Sequence, residues 1–158
     1  MRISPMKTPA MQILDGLGIK YEVKEFEFGE VGTKEVVEKL RIPHEQVFKT
    51  LVTKGDRTGI LLACIPGPKQ LDLKALARVS GNRACEMFPK DAVEKATGYV
   101  TGGCSPLGGK RKFPLYIDKA CEGLPFISVS AGRRGMQIFI APSDLIRAGE
   151  AVVVEISR

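Results

Sequence analysis

Glycine or proline stands at most of the joints in this chain, and the apolar runs between them are short. Such punctuation restricts the fold to many brief elements, because glycine supplies left-handed turns and proline withholds a backbone donor. Thr8-Pro9 reads as a helix start, with Ala10, Ile13, Leu14 and Leu17 at helical spacing and Gly18 as the stop. Tyr21 to Phe28 reads as a strand of broken parity, which suits an edge or a bulge. Thr33 to Leu40 reads as a second helix, capped by Thr33. Two strands, Val47 to Thr53 and Ile60 to Ile65, flank the polar turn Lys54-Gly55-Asp56-Arg57-Thr58-Gly59 and predict a hairpin. Pro66-Gly67-Pro68 ends the second strand, Asp72 caps a helix that Gly81 stops, and Ala84 to Met87 is a short strand. Pro89 to Thr97 is a helix closed by Gly98. Strands at Leu115 to Ile117, Phe126 to Ser130 and Met136 to Ile140 follow, then a helix from Pro142 and a last strand from Ala151 to Ile156. Strands grouped in the middle and end predict an α/β (α+β) chain. Its sheet is mixed and mostly antiparallel, or a partly closed barrel, of about seven strands surrounded by helices.

With 158 residues and 44% apolar content, the chain can bury one core without staples and reads as a single domain, residues 1–158. Residues 1–7 are expected to be a poorly ordered extension. The net charge of +6 suits a polyanionic partner as well as simple solubility. Four cysteines, Cys64, Cys85, Cys104 and Cys121, show no C-x-x-C spacing, and His44 is the lone histidine. A structural zinc site is therefore not expected, and the cysteines read as reduced, mostly buried thiols of a cytoplasmic protein. No signal peptide or membrane-length apolar run is visible, so no membrane partner is expected.

Three constellations could carry chemistry. Lys49 lies in Val47-Phe48-Lys49-Thr50-Leu51-Val52, between apolar neighbours on both faces of a strand. An ammonium there is costly unless it lines a cavity or meets an anion, although an edge lysine can also snorkel to water. The loop Gly102-Gly103-Cys104-Ser105-Pro106-Leu107-Gly108-Gly109 could bring backbone N–H groups close to a ligand, or form a tight structural turn. It is not a phosphate-binding Walker loop, because Gly109 stands where the lysine should be. It is not a nucleophile elbow either, because Pro106 removes the donor after Ser105. Ser130-Ala131-Gly132-Arg133-Arg134-Gly135 makes a hairpin tip that either touches an RNA backbone or is merely solvated. His44 has no catalytic partner nearby in sequence, and no histidine can be placed beside Cys104 to activate it.

Taken together, the stretches Thr8-Pro9-Ala10, Gln46-Val47-Phe48-Lys49-Thr50-Leu51, Gln70-Leu71-Asp72-Leu73-Lys74, Thr97 to Gly108 and Gly132-Arg133-Arg134-Gly135 resemble the YbaK/EbsC family of free-standing aminoacyl-tRNA editing domains. Those domains are similar to the editing domain inserted in bacterial prolyl-tRNA synthetases. The resemblance implies a deacylase that clears a mischarged amino acid, foremost Cys from tRNA(Pro) or tRNA(Cys). The substrate's own thiol would attack the ester, with Lys49, Gly102 and Gly103 as the catalytic group and with no metal or cofactor. It implies substrate contacts at Phe26, Thr50, Cys104, Ser105, Pro106, Gly108, Arg133, Gly135 and Gln137. The family carries a tyrosine and an aspartate where Phe26 and Gln137 stand here. Mischarged tRNA is the implied partner, with prolyl-tRNA synthetase as a candidate second one. The alternatives are the same fold hydrolysing another small residue, such as Ala-tRNA(Pro), and a non-catalytic module that binds tRNA or a synthetase.

Overall fold

A computed structural model describes residues 7–27, 29 and 32–158. The elements run α1 (Pro9–Gly16), β1 (Glu22–Glu25), α2 (Thr33–Leu40), β2 (Phe48–Gly55), β3 (Gly59–Pro66), α3 (Leu73–Ser80), β4 (Cys85–Met87), α4 (Val93–Thr97), β5 (Leu115–Asp118), β6 (Ile127–Arg133), β7 (Met136–Ile140), α5 (Pro142–Gly149) and β8 (Val152–Val154). Short 3-10 turns lie at His44–Gln46, Lys90–Ala92 and Lys119–Cys121. The expected helix from Pro89 is thus split, with a 3-10 turn feeding α4. The expectation of disorder at 1–6, and the far end of the first strand at Phe28, lie outside the described residues. Lys7 is described, and its ammonium pairs with Asp15 at 2.6 Å.

Among the described residues the mixed α/β architecture has eight strands, divided between two sheets that do not close into a barrel. The smaller is antiparallel, in the order β1-β7-β6, and the larger runs β4-β2-β3-β5-β8. In the larger sheet β4, β2 and β3 are antiparallel, while β3–β5 and β5–β8 are parallel. A single parallel bridge between Val47 and Ser128 joins the two sheets.

Local chemistry explains most boundaries. Thr8 caps α1 by accepting from the Met11 N–H, and Asp72 caps α3 by accepting from Ala75. Gly81 and Gly98 close α3 and α4 in the left-handed conformation. The cap expected from Thr33 is not formed. Gly32 holds the cap position, and the Thr33 hydroxyl instead meets His44 Nε2 at 2.8 Å. The β2–β3 tip is pinned from outside: Asn82 Oδ1 accepts from Arg57 N at 2.8 Å and Thr58 N at 3.0 Å.

The main core packs α1 and α5 against both sheets, through Leu14, Leu145, Phe48, Val52, Ile117, Val129 and Ile138. A second, smaller core lies on the other face of the larger sheet, where Leu61, Ala63 and Ile65 meet Leu76 of α3 and Ile156. Each fully buried aliphatic side chain contributes about 1.5–3 kcal/mol relative to exposure. Alternation along β6 and β7 sends Ile127, Val129, Ile138 and Ile140 into the main core. That leaves Ser128, Ser130 and Gln137 on the opposite face. They are buried there nonetheless.

Candidate active site

The site follows from how β2 is paired. Along one edge β2 is fully laddered to β3, with Lys49 opposite Ile65 and Thr50 opposite Cys64. Along the other edge β4 covers only Thr53–Gly55, and the last bond is from Phe88 N to Val52 O at 2.9 Å. Pairing resumes only at the Val47–Ser128 bridge. Backbone groups alternate between the two edges of a strand. The N–H and C=O of Thr50 therefore face a gap between the sheets, where no described strand pairs with them.

A cleft of about 270 Å³ opens at this gap. Val36 of α2 with Phe48, Val52, Phe88 and Val93 give it apolar walls. Its polar lining is Thr33, Lys49, Thr50, Lys90, Thr101, Gly102, Ser130 and Gln137, of which Lys90 is exposed and Lys49 is not. Five residues expected from the sequence thus meet in one place, namely Lys49, Thr50, Gly102, Cys104 and Gln137. Lys49 is half-buried and makes no ion pair or hydrogen bond among the described residues. Burial holds its ammonium below the ordinary lysine pKa, because desolvation disfavours the charge.

The glycine loop divides its labour. Gly102 is exposed, left-handed at φ +86° and lines the cleft. Gly103 is buried, its N–H already donates to Val100 O at 2.9 Å, and a Cβ there would come within 3.0 Å of Arg134 N. The N–H groups of Gly102 and Cys104 have no partner among the described residues. Ser105 is buried, with its Oγ accepting from Leu107 N at 3.1 Å. It shapes the loop and does not line the cleft. Pro106 and Gly108 border a different hollow, shared with Phe113. The Cys104 thiol is pushed up to about 11 by burial, so it is protonated at neutral pH and is no ready nucleophile.

Besides Ser105, Pro106 and Gly108, three further expected contacts lie away from the cleft. Phe26 follows β1 and donates its N–H to Gly135 O at 2.9 Å. Gly135 is the turn residue that lets β6 reverse into β7, with φ +80°. Arg133 is exposed and leans on Met136. Its neighbour Arg134 clamps the loop, donating from Nε and Nη2 to Thr101 O at 2.9 and 2.7 Å. Two residues that sequence reasoning passed over also matter. Tyr99 anchors the loop through its hydroxyl, which donates to Leu107 O at 2.7 Å. Ser128 donates to Gln137 Oε1 at 2.6 Å. The only available signal for Ser128 was a serine alternating with core residues in a strand. Among the described residues no group of three or more His, Cys, Asp or Glu side chains could hold a metal, and no helix is long and apolar enough to cross a membrane.

The sequence matches a known family. A family model for the aminoacyl-tRNA editing domain matches residues 30–148. The chain belongs to that family. It is 42% identical over 153 residues to the Enterococcus faecalis protein named "Putative Cys-tRNA(Pro)/Cys-tRNA(Cys) deacylase EbsC", covering 96% of this chain and 93% of that one. It is also 28% identical over 78 residues to the proline–tRNA ligase of Thermosipho africanus, spanning 49% of this chain and only 14% of the ligase. Among solved structures, the "Crystal structure of a putative trans-editing enzyme for prolyl tRNA synthetase" superposes with a TM-score of 0.83 at 24% identity over 99% of both chains, which establishes the shared fold.

Proposed function

We propose that this editing-family protein is a free-standing deacylase that releases cysteine from mischarged tRNA(Pro). The observation that carries the reading is the cleft at the seam of the two sheets. It brings the half-buried, unpaired Lys49, unpaired loop amides and apolar walls together, and its one thiol, Cys104, is not activated. An aminoacyl ester needs little more. It is already activated, and a cysteinyl ester brings its own thiol.

In this mechanism the substrate's sulfur attacks the ester carbonyl. A C–S bond forms, the C–O bond to the ribose breaks, and the thiol proton passes to the departing ribose oxygen. The products are a cyclic thiolactone and free tRNA. Holding thiol and carbonyl in reach supplies the gain of an intramolecular reaction. The N–H groups of Gly102 and Cys104 are the donors suited to the developing oxyanion, whereas Gly103, its own N–H engaged, shapes the turn. Lys49 holds a phosphate or hydroxyl of the terminal adenosine. The small volume of the cleft supports a small aminoacyl group. The modest charge of +6 supports weak intrinsic tRNA affinity, so prolyl-tRNA synthetase is proposed as a second partner that delivers the tRNA.

The test is release of labelled amino acid from Cys-tRNA(Pro), Ala-tRNA(Pro) and Pro-tRNA(Pro), with wild type beside Lys49→Ala. Rapid clearance of Cys-tRNA(Pro), survival of Pro-tRNA(Pro) and an inactive lysine variant are expected. Release of Ala in preference to Cys would move the chemistry to water attack. Release of none would leave a binding module.

A further inference from the structure

Gln137 is nine-tenths buried, yet only one end of its amide is satisfied. Ser128 Oγ, itself fully buried, donates to Oε1 at 2.6 Å. With Oε1 held by that hydroxyl, the amide turns its Nε2 the other way. Nε2 meets no acceptor among the described residues. Nor is it sealed in, since no fully buried side-chain nitrogen or oxygen among them lacks a partner. Gln137 lines the cleft, so its Nε2 opens into that space. The neighbouring Ser130 hydroxyl accepts from Gly132 N in the bulge before the hairpin tip.

We propose that Gln137 is a preset hydrogen-bond donor for the carbonyl oxygen of the bound aminoacyl ester, and that Ser128 is the positioning residue that aims it. The inference rests on the deacylase reading and deepens it. Of the groups that an aminoacyl portion offers, the α-ammonium is donor only and a thiol is a weak acceptor. The carbonyl oxygen is the acceptor that matches. It has two lone pairs, one for a loop amide and one for Gln137, and it gains negative charge in the transition state. A fixed donor there acts mainly on turnover.

The experiment measures kcat and KM for Cys-tRNA(Pro) across a pH series, for wild type, Gln137→Glu, Gln137→Met and Ser128→Ala, with melting curves to establish folding. Gln137→Met is expected to lose about 10²-fold in kcat with KM within a few-fold, the loss typical of one oxyanion donor. Gln137→Glu keeps the Ser128 bond, so it serves even where the Met variant does not fold. It is expected to be as slow as the Met variant at neutral pH and to recover towards acid, where its carboxyl regains a proton to donate. Ser128→Ala should fall between these and wild type. A Gln137→Glu protein as fast as wild type or faster would overturn the proposal, since the site would then want an acceptor. So would a folded Gln137→Met protein with unchanged kcat. Those two results leave the deacylase reading standing, whereas a wild type inert on all three charged tRNAs removes both.

Discussion

The hydroxyl of Tyr99 donates to the carbonyl oxygen of Leu107 at 2.7 Å, tying the two ends of the glycine loop across its own mouth. Tyr99 is buried, and burial pushes its phenol up to about 12, so it stays a donor at any physiological pH. Gly108 and Gly132 both press on this side chain: a Cβ on Gly108 would come within 2.8 Å of the hydroxyl oxygen, and one on Gly132 within 2.8 Å of ring Cε1. Tyr99→Phe leaves a buried carbonyl without its donor. A loss of about 1–3 kcal/mol in urea unfolding is expected, with a fall in deacylation as Gly102 loses its setting.

Gly108 should tolerate no side chain. Its φ is +81°, and a Cβ would also meet Pro9 Cβ at 3.0 Å and Ala10 N at 3.3 Å. Gly108→Ala combines left-handed strain with a clash against α1. A destabilisation of at least about 1–3 kcal/mol, read as a lowered Tm, is the expected result.

The pH dependence of Lys49 has a definite sign. Desolvation lowers its pKa, so the ammonium gives up its proton at a lower pH than a free lysine. The fold carries the cost of that buried charge below the shifted pKa and is relieved of it as pH rises through that value. Ligand binding runs the opposite way if the charge holds a phosphate or hydroxyl. Affinity for a non-hydrolysable cysteinyl-adenosine amide should fall on the alkaline side before the ordinary lysine range. Lys49→Arg, always charged, should hold its residual affinity to higher pH. Titration calorimetry at several pH values checks both.

Cys104 lines the cleft, but its thiol is held protonated with a pKa near about 11. Cys104→Ala should therefore retain deacylation within about tenfold, whereas a protein-thiolate mechanism would lose about 10³-fold or more. A single-turnover assay of the variant separates the two.

The sequence revealed elements better than their partners. Asp72, Gly81 and Pro66-Gly67-Pro68 act within a few residues of themselves, and α3 and the end of β3 lie where those residues predict. Thr33 misled because its hydroxyl is claimed by His44, 11 positions away. The division into two sheets was not legible. It depends on β7 pairing with β1 across most of the chain, which no local pattern encodes. The site shows the same contrast. Lys49, Gly102 and Gln137 carry recognisable sequence settings, but that Gly103 spends its amide on Val100, or that Ser128 orients Gln137, depends on contacts only the folded chain makes.

The seam between the two sheets has a mechanical meaning. Where β4 stops and the Val47–Ser128 bridge has yet to begin, β2 is a strand with a missing neighbour. A molecule lodged there becomes a strut across the opening, touching the larger sheet through β2 and the smaller one through β7. Occupancy and resistance to unfolding are then one equilibrium seen from two sides.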